Sequence, residues 1–187
     1  MRKIIAAINM TLDGFCDHTA ILPDEEIHQH YTELISDADA ILYGRITYQL
    51  MEFWRTLVKN PSGEKTMDDF AMAIDKIPKI VFSHTLKNVK WKTAKLAKKD
   101  IKEEVLELKQ SNNSGSKDIL VGSRSLIVAC INLNLIDELQ LCVHPIILKS
   151  GLTPLFKNLN DRSDLKLLKT KTFSCGAILL YYKPTKK

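Results

Sequence analysis

Apolar residues follow two rhythms along this chain. Short unbroken runs alternate with longer stretches in which apolar positions return every third or fourth residue. K-I-I-A-A-I-N at 3–9 predicts the first strand, apolar on both parities as in a strand covered on both faces. From Pro23 or Asp24 to Ala38-Asp39, the residues Ile27, Tyr31, Leu34 and Ile35 fall on one helical face. A-I-L-Y at 40–43 predicts a second strand, and Ile46, Leu50, Phe53, Trp54 and Leu57 predict the helix after it. The polar loop K-N-P-S-G-E-K at 59–65 leads to a short helix at 67–74, and Pro78 opens a third strand, K-I-V-F, at 79–82. Asp100 with Glu103 three residues later makes a capping-box start for a helix carrying Ile101, Val105 and Leu108. After the polar segment at 110–117, read as an exposed loop, I-L-V at 119–121 predicts a strand. Gly122 follows it, and then a helix with Leu126, Ile127, Cys130 and Ile131 on one face. A further apolar segment runs from Ile136 to His144, ahead of Pro145. Two last strands, 165–173 and 177–182, flank Ser174-Cys175-Gly176, a hairpin turn in which glycine supplies positive φ.

Alternation of strands and helices followed by a terminal hairpin predicts an α/β fold. It is a three-layer one, with a mostly parallel twisted sheet, helices on both faces and a C-terminal antiparallel hairpin. The 187 residues suit a single domain over 1–187, with no repeat or low-complexity segment.

The strand ends carry the candidate chemistry. Four strands run into polar or glycine junctions: Asn9, Gly44-Arg45, Ser83-His84 and Gly122-Ser123. A helix that starts at such a junction presents unpaired N–H groups with partial positive charge, a ready site for phosphate. Arg45 and Arg124 add full charges at two of the mouths. The same pattern also suits a plain tight turn at Gly122 with Ser123 as a helix cap, because G-S-R-S is neither G-x-G-x-x-G nor a Walker loop. The Asp13-Gly14 turn follows the first strand, where open α/β sheets place ligands.

Composition narrows the partners. The net charge of +5 comes from lysines interleaved with acids and apolar residues, which reads as solvated faces that also draw anionic small ligands. No aromatic-studded basic strand accompanies them, so nucleic acid is not the expected partner. Cys16, Cys130, Cys142 and Cys175 are scattered, as for reduced thiols in a cytoplasm. The histidines lack metal-ligand spacing, and His28 and His30 belong to different sides of one helix. No apolar run approaches the roughly 18 residues of a membrane span, and the N-terminal run is too short for a signal peptide. The expectation is no metal and no membrane.

The chain resembles the dihydrofolate reductase-like superfamily, in the branch similar to the C-terminal reductase domain of the riboflavin-biosynthesis deaminase–reductase. The resemblance rests on N-M-T-L-D-G-F at 9–15, L-Y-G-R-I-T-Y at 42–48, I-V-F-S-H-T-L at 80–86 and D-I-L-V-G-S-R-S-L at 118–126. L-I-D-E-L at 135–139, H-P-I-I-L-K-S-G-L-T-P-L-F at 144–156 and G-A-I-L-L-Y-Y at 176–182 complete an ordered set over nearly the whole chain.

It implies an NADPH-dependent reductase of a small heterocycle, like 5-amino-6-(5-phosphoribosylamino)uracil reductase. By the same resemblance Gly44, Arg45 and Thr47 hold cofactor phosphates, and Ser83 and His84 lie near the adenosine 2′-phosphate. Gly122, Ser123, Arg124 and Ser125 form the turn under the pyrophosphate, and Ala7 lies near the nicotinamide. Asp13, the candidate catalytic residue, and Gly14 match the mobile segment over the active site. Asn9, Gly14, His28 and Trp54 are the substrate candidates, with His28 near the position where dihydrofolate reductases carry a proton-delivering carboxylate.

Two departures stand out. Gly122-Ser123 replaces the family's Gly-Gly, and Lys149-Ser150-Gly151 replaces its G-x-G. With the missing helix carboxylate they motivate an alternative, a nucleotide-binding module of the same fold without turnover. A homodimer is expected, because the terminal hairpin and L-Q-L-C-V at 139–143 are too apolar for a bare sheet edge.

Overall fold

The run I-I-A-A-I-N-M-T forms β1 (Ile4–Thr11) between two parallel neighbours, and its apolar residues on both parities follow from the separate cores on the two faces of the sheet. The computed structural model describes residues 2–21, 23–111, 117–149 and 154–185. After β1 come α1 (Glu25–Ser36), β2 (Ala38–Gly44), α2 (Arg45–Lys59), α3 (Lys65–Lys76), β3 (Lys79–Phe82) and β4 (Ala94–Leu96). Then follow α4 (Ile101–Gln110), β5 (Asp118–Val121), α5 (Arg124–Asn132), β6 (Glu138–His144), β7 (Leu165–Thr172) and β8 (Ile178–Pro184). The strands form one eight-stranded sheet in the order β4-β3-β2-β5-β1-β6-β8-β7. Strands β1 to β6 pair in parallel, and β8 and β7 close the sheet antiparallel.

Alternation within each strand separates two cores. Ile5, Ile41 and Tyr43 face α1, α2 and α3, with Ile35, Tyr48, Phe70 and Ile74. Ile4, Ala6 and Leu42 face α4 and α5, with Val105, Leu126 and Ile127. The result is the expected three-layer fold. Asp137 accepts from the Ile4 N–H at 2.8 Å, so it serves the start of β1.

Two readings needed revision. β4 carried no legible pattern: A-K-L is three residues long and forms because it can pair with β3. The L-Q-L-C-V segment is not an edge, since β6 lies between β1 and β8. The edge on that side is β7, whose eight residues are all exposed. Lys169 and Lys171 lie over the rings of Tyr181 and Phe173 on the α1 side of the hairpin. Leu165, Leu167 and Ile178 are 38%, 49% and 42% exposed.

Candidate cofactor and substrate cleft

The central geometry is a pair of strand–helix junctions on neighbouring strands. β2 runs into α2, which packs on one face of the sheet, while β5 runs into α5 on the other. Helices that diverge to opposite faces from adjacent strands leave a crevice at the carboxyl ends. The starts of α1 and α4 are capped by Asp24 and Asp100, which accept from Ile27 and Glu103 N–H groups at 2.9 Å. Neither α2 nor α5 has a side-chain cap. Ser123 stands at the N-cap of α5, yet its Oγ accepts from the Gly44 N–H at 2.8 Å, across to the other junction. At 1% exposure, this side chain is a buried strut between the two helix starts.

The glycines are fixed by packing. A Cβ on Gly122 would lie 3.0 Å from the Tyr43 ring, and one on Gly44 would lie 3.3 Å from Ser125 Oγ. Arg45 is exposed and, among the described residues, donates to Gln49 at 3.1 Å; Asp39 is paired with Arg2. Thr47 and Arg124 are half-buried at their helix starts. Ser83 follows directly on β3, which pairs with β2 at Gly44, and its Oγ accepts from Thr85 and Leu86 N–H groups to make a turn. His84 beside it is exposed. Uncapped N–H groups at two joined helix starts, with arginine at each, fit the phosphates of a dinucleotide cofactor.

Beside the junctions the sheet is open. β1 is flanked by β5 and β6, yet Ala7, Ile8 and Asn9 in its carboxyl half are only half-buried. Asn9 Oδ1 lies 3.0 Å from His144 Nε2 and 3.4 Å from the Tyr31 hydroxyl. Burial lowers the pKa of His144 and raises that of Tyr31. Tyr31 is therefore the α1 residue that reaches β1 at Asn9. His28 turns to an aromatic wall between the helices, with centroids 5.8 Å from both Trp54 and Phe70, and burial lowers its pKa. None of the α1 acids is seen bonded to β1: Asp24 caps the helix, Glu26 accepts from Ser174 N–H at 2.7 Å, and Glu33 accepts from Gln29.

Asp13, the catalytic candidate, is bonded to both neighbouring loops. Its carboxylate accepts from the Thr11 hydroxyl at 2.6 Å and from Leu148 and Lys149 N–H groups at 3.0 and 2.8 Å. The Thr11 bond, with help from those two amides, holds its pKa below the ordinary aspartate value. A carboxylate kept ionised by three donors is a poor proton source. It clamps the loop after β1 to the loop after β6, helped by Leu12 N–H to Ile146 O at 2.8 Å. Gly14 has φ +88°, a conformation that glycine adopts without strain.

A family model described as the RibD C-terminal domain matches residues 2–179. The chain belongs to the RibD C-terminal domain family. The uncharacterized protein YyaP of Bacillus subtilis (strain 168) is 34% identical over 188 residues, covering 97% of this chain and 94% of its own. Among solved structures, a putative riboflavin biosynthesis protein from Shewanella sp. PV-4 superposes with a TM-score of 0.70 at 18% identity, covering all of both chains. A pyrimidine reductase-like protein from Corynebacterium diphtheriae gives 0.68 at 14% identity, over 100% of this chain and 93% of its own. The riboflavin biosynthesis reductase Rib7 of Saccharomyces cerevisiae gives 0.64 at 15%, over 98% and 90%. At these identities the structural likenesses establish the dihydrofolate reductase-like fold.

As a RibD C-terminal domain, the chain accommodates its Ser123 by turning the hydroxyl toward Gly44. Of the second departure, Lys149 has φ +63°, while Ser150 and Gly151 lie outside the described residues. Among the described residues no group of three or more His, Cys, Asp or Glu side chains is placed to hold a metal. No described helix is long and apolar enough to cross a membrane. Neither Tyr31 nor His144 stands out in the sequence, because each belongs to an apolar pattern: Tyr31 lies in the α1 stripe, and His144 closes the β6 run.

Proposed function

We propose that the protein is an NADPH-dependent reductase of a small, flat heterocycle of the 5-amino-6-(5-phosphoribosylamino)uracil type. The observation that carries this reading is the pair of uncapped helix starts joined by Gly44 N–H···Ser123 Oγ, beside the open half of β1. Family membership and the riboflavin-biosynthesis names of several fold neighbours support the same chemistry.

In this reading the amides after Gly44 and Ser123 hold the pyrophosphate, with Thr47, Arg124 and Ser125 around it. Arg45, Ser83 and His84 face the 2′-phosphate, and Ala7 lies beside the nicotinamide. The bound cofactor supplies the hydride; the chain supplies position and electrostatics. Asn9 and Gly14 border the substrate, His28 and Trp54 form its aromatic wall, and Asp13 holds the overlying loop in place. The protein works as a cytoplasmic homodimer, associating through the hairpin face that carries Leu165, Leu167 and Ile178, since lysines along β7 oppose edge-to-edge pairing.

Titration with NADPH, followed by cofactor oxidation in the presence of the phosphoribosylaminouracil, tests the reading. Saturable binding with turnover is expected. Binding without turnover on any pyrimidine would favour the silent module, and no binding would overturn both.

A further inference from the structure

Asn9 is held by one end. Its Oδ1 lies 3.0 Å from His144 Nε2 and 3.4 Å from the Tyr31 hydroxyl. His144 is 3% exposed and is carried on β6, two residues beyond Cys142, the register partner of Asn9. Tyr31 arrives from α1, packed on the same face of the sheet as Cys142. Both partners can also accept, but with the His144 proton on Nε2 both donate, and an amide oxygen can accept twice while an amide nitrogen cannot accept at all. Two donors converging on one atom therefore set which way the amide faces. The oxygen is committed to these two partners, which leaves the NH₂ group for another. Among the described residues that nitrogen has no hydrogen-bond partner, and Asn9 is only half-buried, as is Ala7 two positions earlier on the same face of β1.

We propose that His144 and Tyr31 are positioning residues that lock Asn9 as a hydrogen-bond donor to the substrate, so that the cleft selects a ring bearing a carbonyl oxygen over the analogue bearing an amino group there. This rests on the reductase reading for the location of the substrate. Two N–H groups aimed into a cleft need an acceptor. An oxo group on a pyrimidine ring provides one, whereas an exocyclic amino group presents donor to donor and leaves both unpaired.

The test uses 5-aminouracil and 5-aminocytosine, in which a C4 oxo group beside N3–H is replaced by an amino group beside an unprotonated N3. Each is titrated by calorimetry into wild type and four variants, with circular dichroism as a check on folding and NADPH binding measured separately. Wild type should favour 5-aminouracil by about tenfold, the worth of one well-made hydrogen bond. Asn9→Asp keeps an oxygen for His144 and Tyr31 but turns an acceptor outward, so the preference should invert. His144→Gln places an amide N–H near the position of Nε2 and should retain the preference. His144→Phe and Tyr31→Phe should each reduce it, as the amide becomes free to turn over. An unchanged preference in Asn9→Asp, or no preference in wild type, overturns the proposal. So does equal loss in His144→Gln and His144→Phe. If the preference behaves as described but NADPH does not bind, the donor role stands and the reductase reading falls. If NADPH binds and the preference is absent, the reverse holds.

Discussion

Replacing Ser123 by alanine isolates the strut between the two helix starts. The substitution keeps the Cβ and leaves backbone freedom nearly unchanged, and it removes one hydroxyl that accepts from Gly44 N–H at 2.8 Å. A net hydrogen bond contributes roughly 0.5–1.5 kcal/mol, and a buried donor left without a partner costs about 1–3. Ser123 is 1% exposed but Gly44 is half-buried, so water reaches part of the vacated position. The expected loss is about 1–2 kcal/mol. For a domain of this size each kcal/mol lowers Tm by roughly 2–4 °C, so the melting point should fall by about 2–8 °C. The functional consequence follows from what the strut joins. It aligns the amides assigned to the pyrophosphate, which NADPH and NADH share, so both affinities should drop by a similar factor, about fivefold for 1 kcal/mol. Thermal melts and calorimetry with both cofactors measure the two effects. Ser123→Gly, which restores the family's Gly-Gly, should lose at least as much stability. A melting point and affinities equal to wild type in both variants would show that the hydroxyl joins nothing of consequence.

Other outcomes follow from the same geometry. Arg45→Ala should weaken NADPH by about 10- to 150-fold while sparing NADH, because a charge-assisted hydrogen bond contributes roughly 1.5–3 kcal/mol and only NADPH offers the second phosphate; calorimetry that finds equal losses refutes the role. Lys79 is buried, donating to Ile77 O and Thr93 Oγ1 at 2.8 Å, and burial brings its pKa down to about 8 from 10.5. Below that value it is charged folded and unfolded alike; above it only the unfolded chain keeps the proton, so stability should rise by about 1 kcal/mol between pH 8 and 9. Above pH 9 the buried thiols of Cys130 and Cys142, pushed up to about 12, act in the opposite sense, and urea midpoints for wild type and Lys79→Met separate the lysine contribution. Sedimentation should find a dimer at micromolar concentration that Leu167→Lys shifts toward monomer; a monomeric wild type removes the interface. Dihydrofolate should not be turned over at the usual 1–10³ per second, because Tyr31 and not a carboxylate reaches Asn9 from α1; such a rate with NADPH would refute that inference.

Periodicity and punctuation carried the fold a long way. Both parities of β1, the stripes of α1, α2 and α5, and the Ser174-Cys175-Gly176 turn are local features, and local features are written in neighbouring residues. Gly176 has φ +84°, as that turn required. β4 was illegible because a three-residue edge strand exists only through its partner, β3. The ordered motifs likewise pointed to the two helix starts as an anion site. They did not reveal that Ser123 would turn from its own helix to Gly44, 79 positions away in the chain. Nor did they show that Asp13 would be consumed by Leu148 and Lys149, or that Tyr31 and His144 would meet on Asn9. A side chain's type limits what it can donate or accept, and the sequence states that type. Which partner it finds depends on strand order and register, and β1 meets β6 only because the sheet places them side by side.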